Sequence, residues 1–418
     1  MRAIKESKRL KNKKEELLKE EQIVKNIILK VKEKGDKALR EFTLKFDGVN
    51  IESFKVSEQD IKKAEKDVDK DFIKAVKKAK ERIGNFHRIQ KEKFKDWTKE
   101  EDGILVGETF KPIQKVGIYV PAGKAPLPSS LLMGAIPAQI AGVERIVIAT
   151  PPQKDGSAEP HILAAANLLG LKEIYKVGGA QAIAALAYGT ASIPKVDKIV
   201  GPGNIYVTLA KKLLYGEVGI DILAGPSEVT IIADNTAKSE FILYDLLSQT
   251  EHGLHSPAIL FSASLKICKE VEEKIKTILP TCDETTRKSW ANNGGIYLVK
   301  DLEEAFKEAN KMAPEHLILA IKNPRSYLDK IKSAGVVFLG NYSPVTLGDY
   351  IAGPNHVLPT SQTGRWESAL GVKDFLKTIN IISADKSSLK KMQPFLKSLT
   401  GAEKLDNHFK AVRVRNEK

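Results

Sequence analysis

From about residue 105 onward the chain alternates short apolar runs with stretches of helical spacing, and this alternation restricts the fold more than any other feature. VGIYV (116–120), RIVIAT (145–150), EIYKV (173–177) and KIV (198–200) have the length and branched composition of buried strands. Between and after them GAIPAQIAGV, PHILAAANLLG, AQAIAALAYG and IYVTLAKKLLYG read as helices, with Pro137 as a kink or a helix start and Gly170 as a stop. The pattern resumes after LAGPSE. VTIIAD, AILFS, GGIYLV, HLILAI and GVVFLG are further strands, separated by SEFILYDLLSQTEHG, SLKICKEVEEKIKTIL and LEEAFKEANKMA. Asp301 caps the last of these helices, with Glu304 three residues on as a capping box. Parallel neighbours need crossover helices, so two successive series of this kind predict two parallel α/β sheets. No sequence repeat relates them. Residues 1–95 read as helices, and from about residue 371 the chain becomes a polar tail with some helical spacing.

At 418 residues the chain is long enough for two or three domains, and its 42% hydrophobic content supports a sizeable core. The net charge of +14 does not point to nucleic acid. Residues 1–40 hold fourteen Lys and Arg against seven Asp and Glu, half of the excess in a tenth of the chain. KESKRLKNKKEELLKEEQ mixes both signs at helical spacing, as a solvated face does, and no basic run is interleaved with aromatics. Two cysteines, Cys268 and Cys282, make neither a disulfide framework nor a cysteine metal site, which fits a reducing cytosol. The basic N-terminus lacks an apolar stretch, so no signal peptide is expected, and no run is long and apolar enough to span a membrane.

Several polar motifs interrupt this pattern. In LLSQTEHGLHS, Gln249 and His252 are three apart, which on a helix gives them a common face; both types can ligate a metal. A polar helix end at the surface would read the same way. KVGGAQ and KIVGPGN are glycine turns between a strand and a helix, where a backbone can approach a phosphate, although neither completes G-x-G-x-x-G. APEHLIL sets Glu315 beside His316 at the mouth of a strand; in a regular strand they would face opposite ways, so a shared site needs a bend there. LGDYIAGPNHVLPT gathers Asp349, Asn355 and His356 in a loop after a strand, where open sheets bind ligands. H-E-x-x-H is absent, against a zinc hydrolase.

With VGIYVPAG, VGGAQAIAALAYGT, VDKIVGPGN, DILAGPSE, LLSQTEHG, APEHL, GDYIAGPNHVLPT and the tail Glu-x4-His, the chain resembles the histidinol dehydrogenase family from roughly residue 15 to its C-terminus. The resemblance implies oxidation of L-histidinol to L-histidine through L-histidinal in two NAD-dependent steps, the last of histidine biosynthesis, in a cytoplasmic homodimer without nucleic-acid or membrane partners. It implies one Zn²⁺ per subunit, held by Gln249, His252, Asp349 and His408. Glu315 and His316 match the acid–base pair. Ser227, His356 and Glu403 match further substrate contacts, and Tyr119, Gln181 and Asn204 match NAD contacts. His408 and Glu403 would act across the dimer. The implied fold is two incomplete Rossmann-like parallel-sheet domains, with a helical N-terminal region and a C-terminal tail exchanged in the dimer. The expected divisions are a basic helical arm (1–24), a first α/β domain (25–120 and 227–370), a second, cofactor-side α/β domain (121–226) and the tail (371–418).

Overall fold

The computed structural model of the chain describes residues 2–122 and 126–417, of which residues 2–16 by their backbone alone. Four helices come first: α1 (Arg2–Lys34), α2 (Asp36–Asp47), α3 (Glu58–Asp67) and α4 (Lys70–Lys91). Strands β1 (Trp97–Glu101) and β2 (Ile104–Pro112) follow. The first alternating series is β3 (Lys115–Tyr119), α5 (Pro128–Ala141), β4 (Arg145–Thr150), α6 (Pro160–Leu168), β5 (Ile174–Lys176), α7 (Gly179–Tyr188), β6 (Lys198–Val200), α8 (Ile205–Leu214) and β7 (Gly219–Ile220). The second is β8 (Val229–Ala233), α9 (Ser239–Thr250), β9 (Ala258–Ser262), α10 (Leu265–Ile278), α11 (Glu284–Asn293), β10 (Gly294–Leu298), α12 (Leu302–Met312), β11 (His316–Ala320), β12 (Val336–Leu339) and α13 (Val345–Tyr350). The chain closes with β13 (Leu376–Ala384), α14 (Lys386–Ala402) and α15 (Asp406–Glu417).

Each series builds one five-stranded, all-parallel sheet, in the orders β5-β4-β3-β6-β7 and β10-β9-β8-β11-β12. Counted within its own series, each sheet runs three-two-one-four-five, the dinucleotide-binding order without its sixth strand, with its reversal between β3 and β6 or between β8 and β11. Every residue of β8, β9 and β11 is buried, as strands covered on both faces must be. The expectation of two small Rossmann-like sheets therefore holds.

The N-terminal helices pack against the helices of the first sheet. Residues Ala180–Ala187 of α7 are all buried, and a helix that is apolar all round needs cover on every side. Helices α1 and α2 supply it: Val24, Ile27, Val31, Leu39 and Phe42 share a core with Ile183 and Leu186. On the opposite face α3 and α4 insert Ile61, Val76 and Ile83 among residues of α5 and α6. By contrast α10 buries a single stripe, Ile267, Cys268, Val271 and Ile275, and needs no outer layer. Helices α1–α4 thus cover the first sheet, Arg82 of α4 also donates to the Ile351 carbonyl oxygen at 2.7 Å, and α1 runs unbroken past residue 24.

A third sheet, β1-β2-β13, is antiparallel. It makes the start of the tail a strand rather than helix. Helix α5 starts at Pro128, with Pro137 inside it, so Pro137 is not a helix start. Among the described residues no helix is long and apolar enough to cross a membrane.

Candidate active site

Residues 221–228 connect the carboxyl end of the first sheet with the amino end of the second, and the predicted site residues other than those of the tail lie toward the two ends of this connection. On the first sheet, Gly201 follows β6 with φ +112, and a Cβ there would collide with the Tyr119 carbonyl oxygen; only glycine lets this turn close on β3. Asn204 Oδ1 accepts from the Tyr206 and Val207 amides, each at 3.1 Å, and so caps α8. The Gly179 amide, in the first turn of α7, donates to Tyr119 Oη at 3.1 Å. Burial pushes the Tyr119 phenol up to about 12, so it stays neutral. Gln181 is buried in the same turn of α7. Tyr119, Gln181 and Asn204 therefore lie around two glycine-preceded helix N-termini, whose positive dipole ends suit a phosphate.

At the amino end of the second sheet, Glu315 lies just before β11 and His316 is its first residue. Ala313, two residues before Glu315, ends α12 in a left-handed conformation. Glu315 Oε2 accepts from Ser227 Oγ at 2.5 Å and from the Glu228 amide at 2.9 Å. It also lies 3.5 Å from His316 Nδ1. His316 Nδ1 contacts the Glu228 carbonyl oxygen at 3.0 Å; a carbonyl only accepts, so the ring proton sits on Nδ1. The His316 Nε2 lone pair is buried without a partner, 3.8 Å from Asp349 Oδ1. His356 Nδ1 donates to the Asp349 carbonyl oxygen at 2.8 Å, and Ser130 Oγ stands 3.3 Å from its Nε2.

Burial dominates the electrostatics. It pushes the Glu315 carboxyl up to about 7 against the pull of Ser227, the Glu228 amide and His252. Glu228, which sequence reasoning missed, is pushed up to about 7 by burial and by Glu315 beside it. Burial lowers His316 and takes His356 down to about 4, while Asp349 rises to about 6. His316, Phe338, Leu347, Asp349, Asn355 and His356 line a cavity of about 170 Å³. The 345–360 loop leaves the carboxyl end of β12 but returns to the amino end of the sheet: the Gly225 amide donates to Thr360 Oγ1 at 2.5 Å and the Ser361 amide to Glu228 Oε1 at 3.0 Å.

Helix α9 ends at Thr250, so His252 lies in the following turn, tied back by a 3.3 Å bond from its amide to the Gln249 carbonyl oxygen. Gln249 is buried and its Nε2, a donor, has no hydrogen-bond partner, so it is free to donate to an acceptor, while its Oε1 is the atom that could ligate a metal. An amide, an imidazole and a carboxylate from Gln249, His252 and Asp349 form a nitrogen and oxygen donor set that suits Zn²⁺. Among the described residues no three His, Cys, Asp or Glu are grouped so as to hold one metal ion. His408 and Glu403 are exposed on the tail, and no hydrogen bond or ion pair among the described residues ties either side chain to the site.

The histidinol dehydrogenase family model matches residues 10–416. The chain is 50% identical over 396 residues to histidinol dehydrogenase of Bacillus cereus, covering 94% of this chain and 92% of that relative. It is 50% identical over 392 residues to that of Methanocaldococcus jannaschii, covering 94% of this chain and 91% of the relative. The crystal structure of histidinol dehydrogenase from Elizabethkingia anophelis superposes with a TM-score of 0.90 at 41% identity, covering 95% of this chain and 92% of that one.

Proposed function

This chain belongs to the histidinol dehydrogenase family, and on that premise we propose that it oxidises L-histidinol to L-histidine through L-histidinal, with NAD as hydride acceptor and Zn²⁺ at the substrate site. The observation that carries the reading is the buried Glu315–His316 pair, with His316 Nε2 unpartnered beside a cavity of about 170 Å³. A cavity of about 150 Å³ accepts one benzene ring, so this one has room for an imidazole.

With its proton on Nδ1, His316 has a free lone pair on Nε2 to take the hydroxyl proton of histidinol as the carbinol hydride leaves. The aldehyde so formed must add water before it can lose a second hydride. Glu315, raised to about 7, is the base for that water, and Ser227 and the Glu228 amide hold its carboxylate in place. The nicotinamide cofactor supplies the hydride acceptance in both oxidations. Tyr119, Gln181 and Asn204 are its contacts on the first sheet. Gln249, His252 and Asp349 would hold Zn²⁺ together with His408 of a second copy, and the ion would supply a Lewis-acidic anchor for the substrate imidazole and amine. His356, Ser227 and Glu403 are further substrate contacts.

The exchanged dimer is supported by the tail, where Ile379, Ile382, Phe395 and Leu399 stand exposed and want cover. The two unpaired cysteines suit the cytosol. The test is the yield of NADH, read by absorbance, when histidinol is the limiting reagent. Two NADH per histidinol are expected, with activity lost to a chelator and restored by Zn²⁺. A single NADH per histidinol, or full turnover by metal-free protein, would overturn the reading.

A further inference from the structure

Lys211 and Asp221 form an ion pair beneath the first-sheet glycine turn, with side chains 3% and 1% exposed, and the chemistry above uses neither. We infer that this pair is a positioning device for the dinucleotide: it locks the Gly201–Asn204 turn in the shape that receives the cofactor. The inference rests on the cofactor reading given above and names what enforces it.

Both polar groups of Gly201 are tied to the pair. Its amide donates to Asp221 Oδ2 at 2.7 Å, and its carbonyl oxygen accepts from Lys211 Nζ at 3.1 Å. The ammonium also bonds Asp221 Oδ1 and, at 3.0 Å, the Ile222 carbonyl oxygen. Its three donors are thereby used, which leaves no proton or lone pair for chemistry on a substrate. Lys211 belongs to α8, the helix that Asn204 caps, while Asp221 follows β7 directly. The pair therefore braces one glycine turn to the helix behind it and to the edge strand beside it. Ile222 lies in the connection that leaves the first sheet, five residues before Ser227.

A buried ion pair is seldom the most stabilising filling for its space, since apolar residues of similar volume are usually as good or better. Stability therefore does not account for these residues. Immobilising a loop in its bound shape does, because a turn already fixed loses less freedom when a ligand binds.

The test is a double substitution, Lys211→Met with Asp221→Leu, in the full-length protein. Three quantities are read: the Kd for NADH by fluorescence titration, the KM for histidinol, and the thermal midpoint. Expected are a Kd for NADH weakened about tenfold, the size of one or two bonds no longer held in place, an unchanged KM for histidinol, and a midpoint equal to or above that of the unaltered protein. An unchanged Kd for NADH overturns the inference. So does a parallel loss in both substrates with a lowered midpoint, which marks a merely structural pair. If the double variant does not fold, Asp221→Asn, which keeps the shape and removes the charge, decides in its place: weaker NADH binding at unchanged histidinol KM supports the inference, and unchanged binding overturns it. Failure of the unaltered protein to bind NADH would overturn the cofactor reading itself, and the inference with it.

Discussion

In the first parallel sheet the reversal between β3 and β6 opens at its carboxyl end onto glycine turns and two helix N-termini. In the second the same reversal, between β8 and β11, is closed at that end. The Asp234 amide donates to the Ala320 carbonyl oxygen at 3.3 Å, and Asp234 Oδ2 accepts from the Lys322 amide at 2.8 Å, across the gap where a ligand would enter. Its other oxygen is taken by Thr236, amide and hydroxyl. The groups proposed for the substrate chemistry, Glu315 and His316, sit at the amino end of the second sheet instead. Strand order therefore does not choose the binding end; available donors and open space do. The first sheet offers backbone amides, which suit an anionic cofactor and cannot titrate. At the amino end of the second, buried side chains that exchange protons are the groups on offer.

The comparison breaks most readily at Glu315. Glu315→Gln keeps the shape and removes the base, which costs about 10²–10⁴-fold in a step that needs one. Oxidation of histidinal should fall by that factor and the first hydride transfer from histidinol far less, as single-turnover NADH formation from each substrate would reveal. Equal losses would mean that Glu315 and His316 do not divide the two oxidations. Next in size is Asn204→Ala on the first sheet. Removing the cap should lower stability by about 1 kcal/mol and weaken NAD binding while leaving the KM for histidinol alone; a change confined to histidinol would put the cofactor elsewhere. At the closed end of the second sheet, Asp234→Ala should lower the thermal stability by about 1 kcal/mol with kcat/KM unchanged, and a large loss of activity would show that end to be in use after all.

The smallest effect concerns Asp47, at the end of α2. Burial pushes its carboxyl up to about 6, one of its oxygens has no partner, and its charge acts on Tyr119. A carboxyl whose folded pKa exceeds its unfolded value binds more protons folded than unfolded. Stability is then highest below about pH 4 and falls as pH rises to about 6, with no further change above. Asp47→Asn should remove that fall, worth about 1 kcal/mol or less given its partial exposure. Denaturant midpoints at acid and neutral pH would show it; a fall of the same size in the variant would assign it to another group.

The alternating pattern made both parallel sheets legible, because strands covered on two faces must be continuously apolar. It hid the antiparallel sheet: Trp97–Glu101 is exposed along its whole length and carries no periodicity to detect. It also hid where α1–α4 pack, since their one-sided stripes show that they cover something but not which sheet. At the site, adjacency in sequence exposed Glu315 with His316. Glu228, one residue past Ser227, escaped because its backbone does much of the positioning, and no residue type announces that. Ser130 meets His356 only through the tertiary fold, 226 residues away.

Since α7 is apolar on every side, the cofactor half cannot be lifted out as a self-sufficient module. A fragment beginning at β3 would carry α5–α8 with their outer faces bare and would aggregate rather than fold. Any graft or circular rearrangement of this half must bring α1–α4 along.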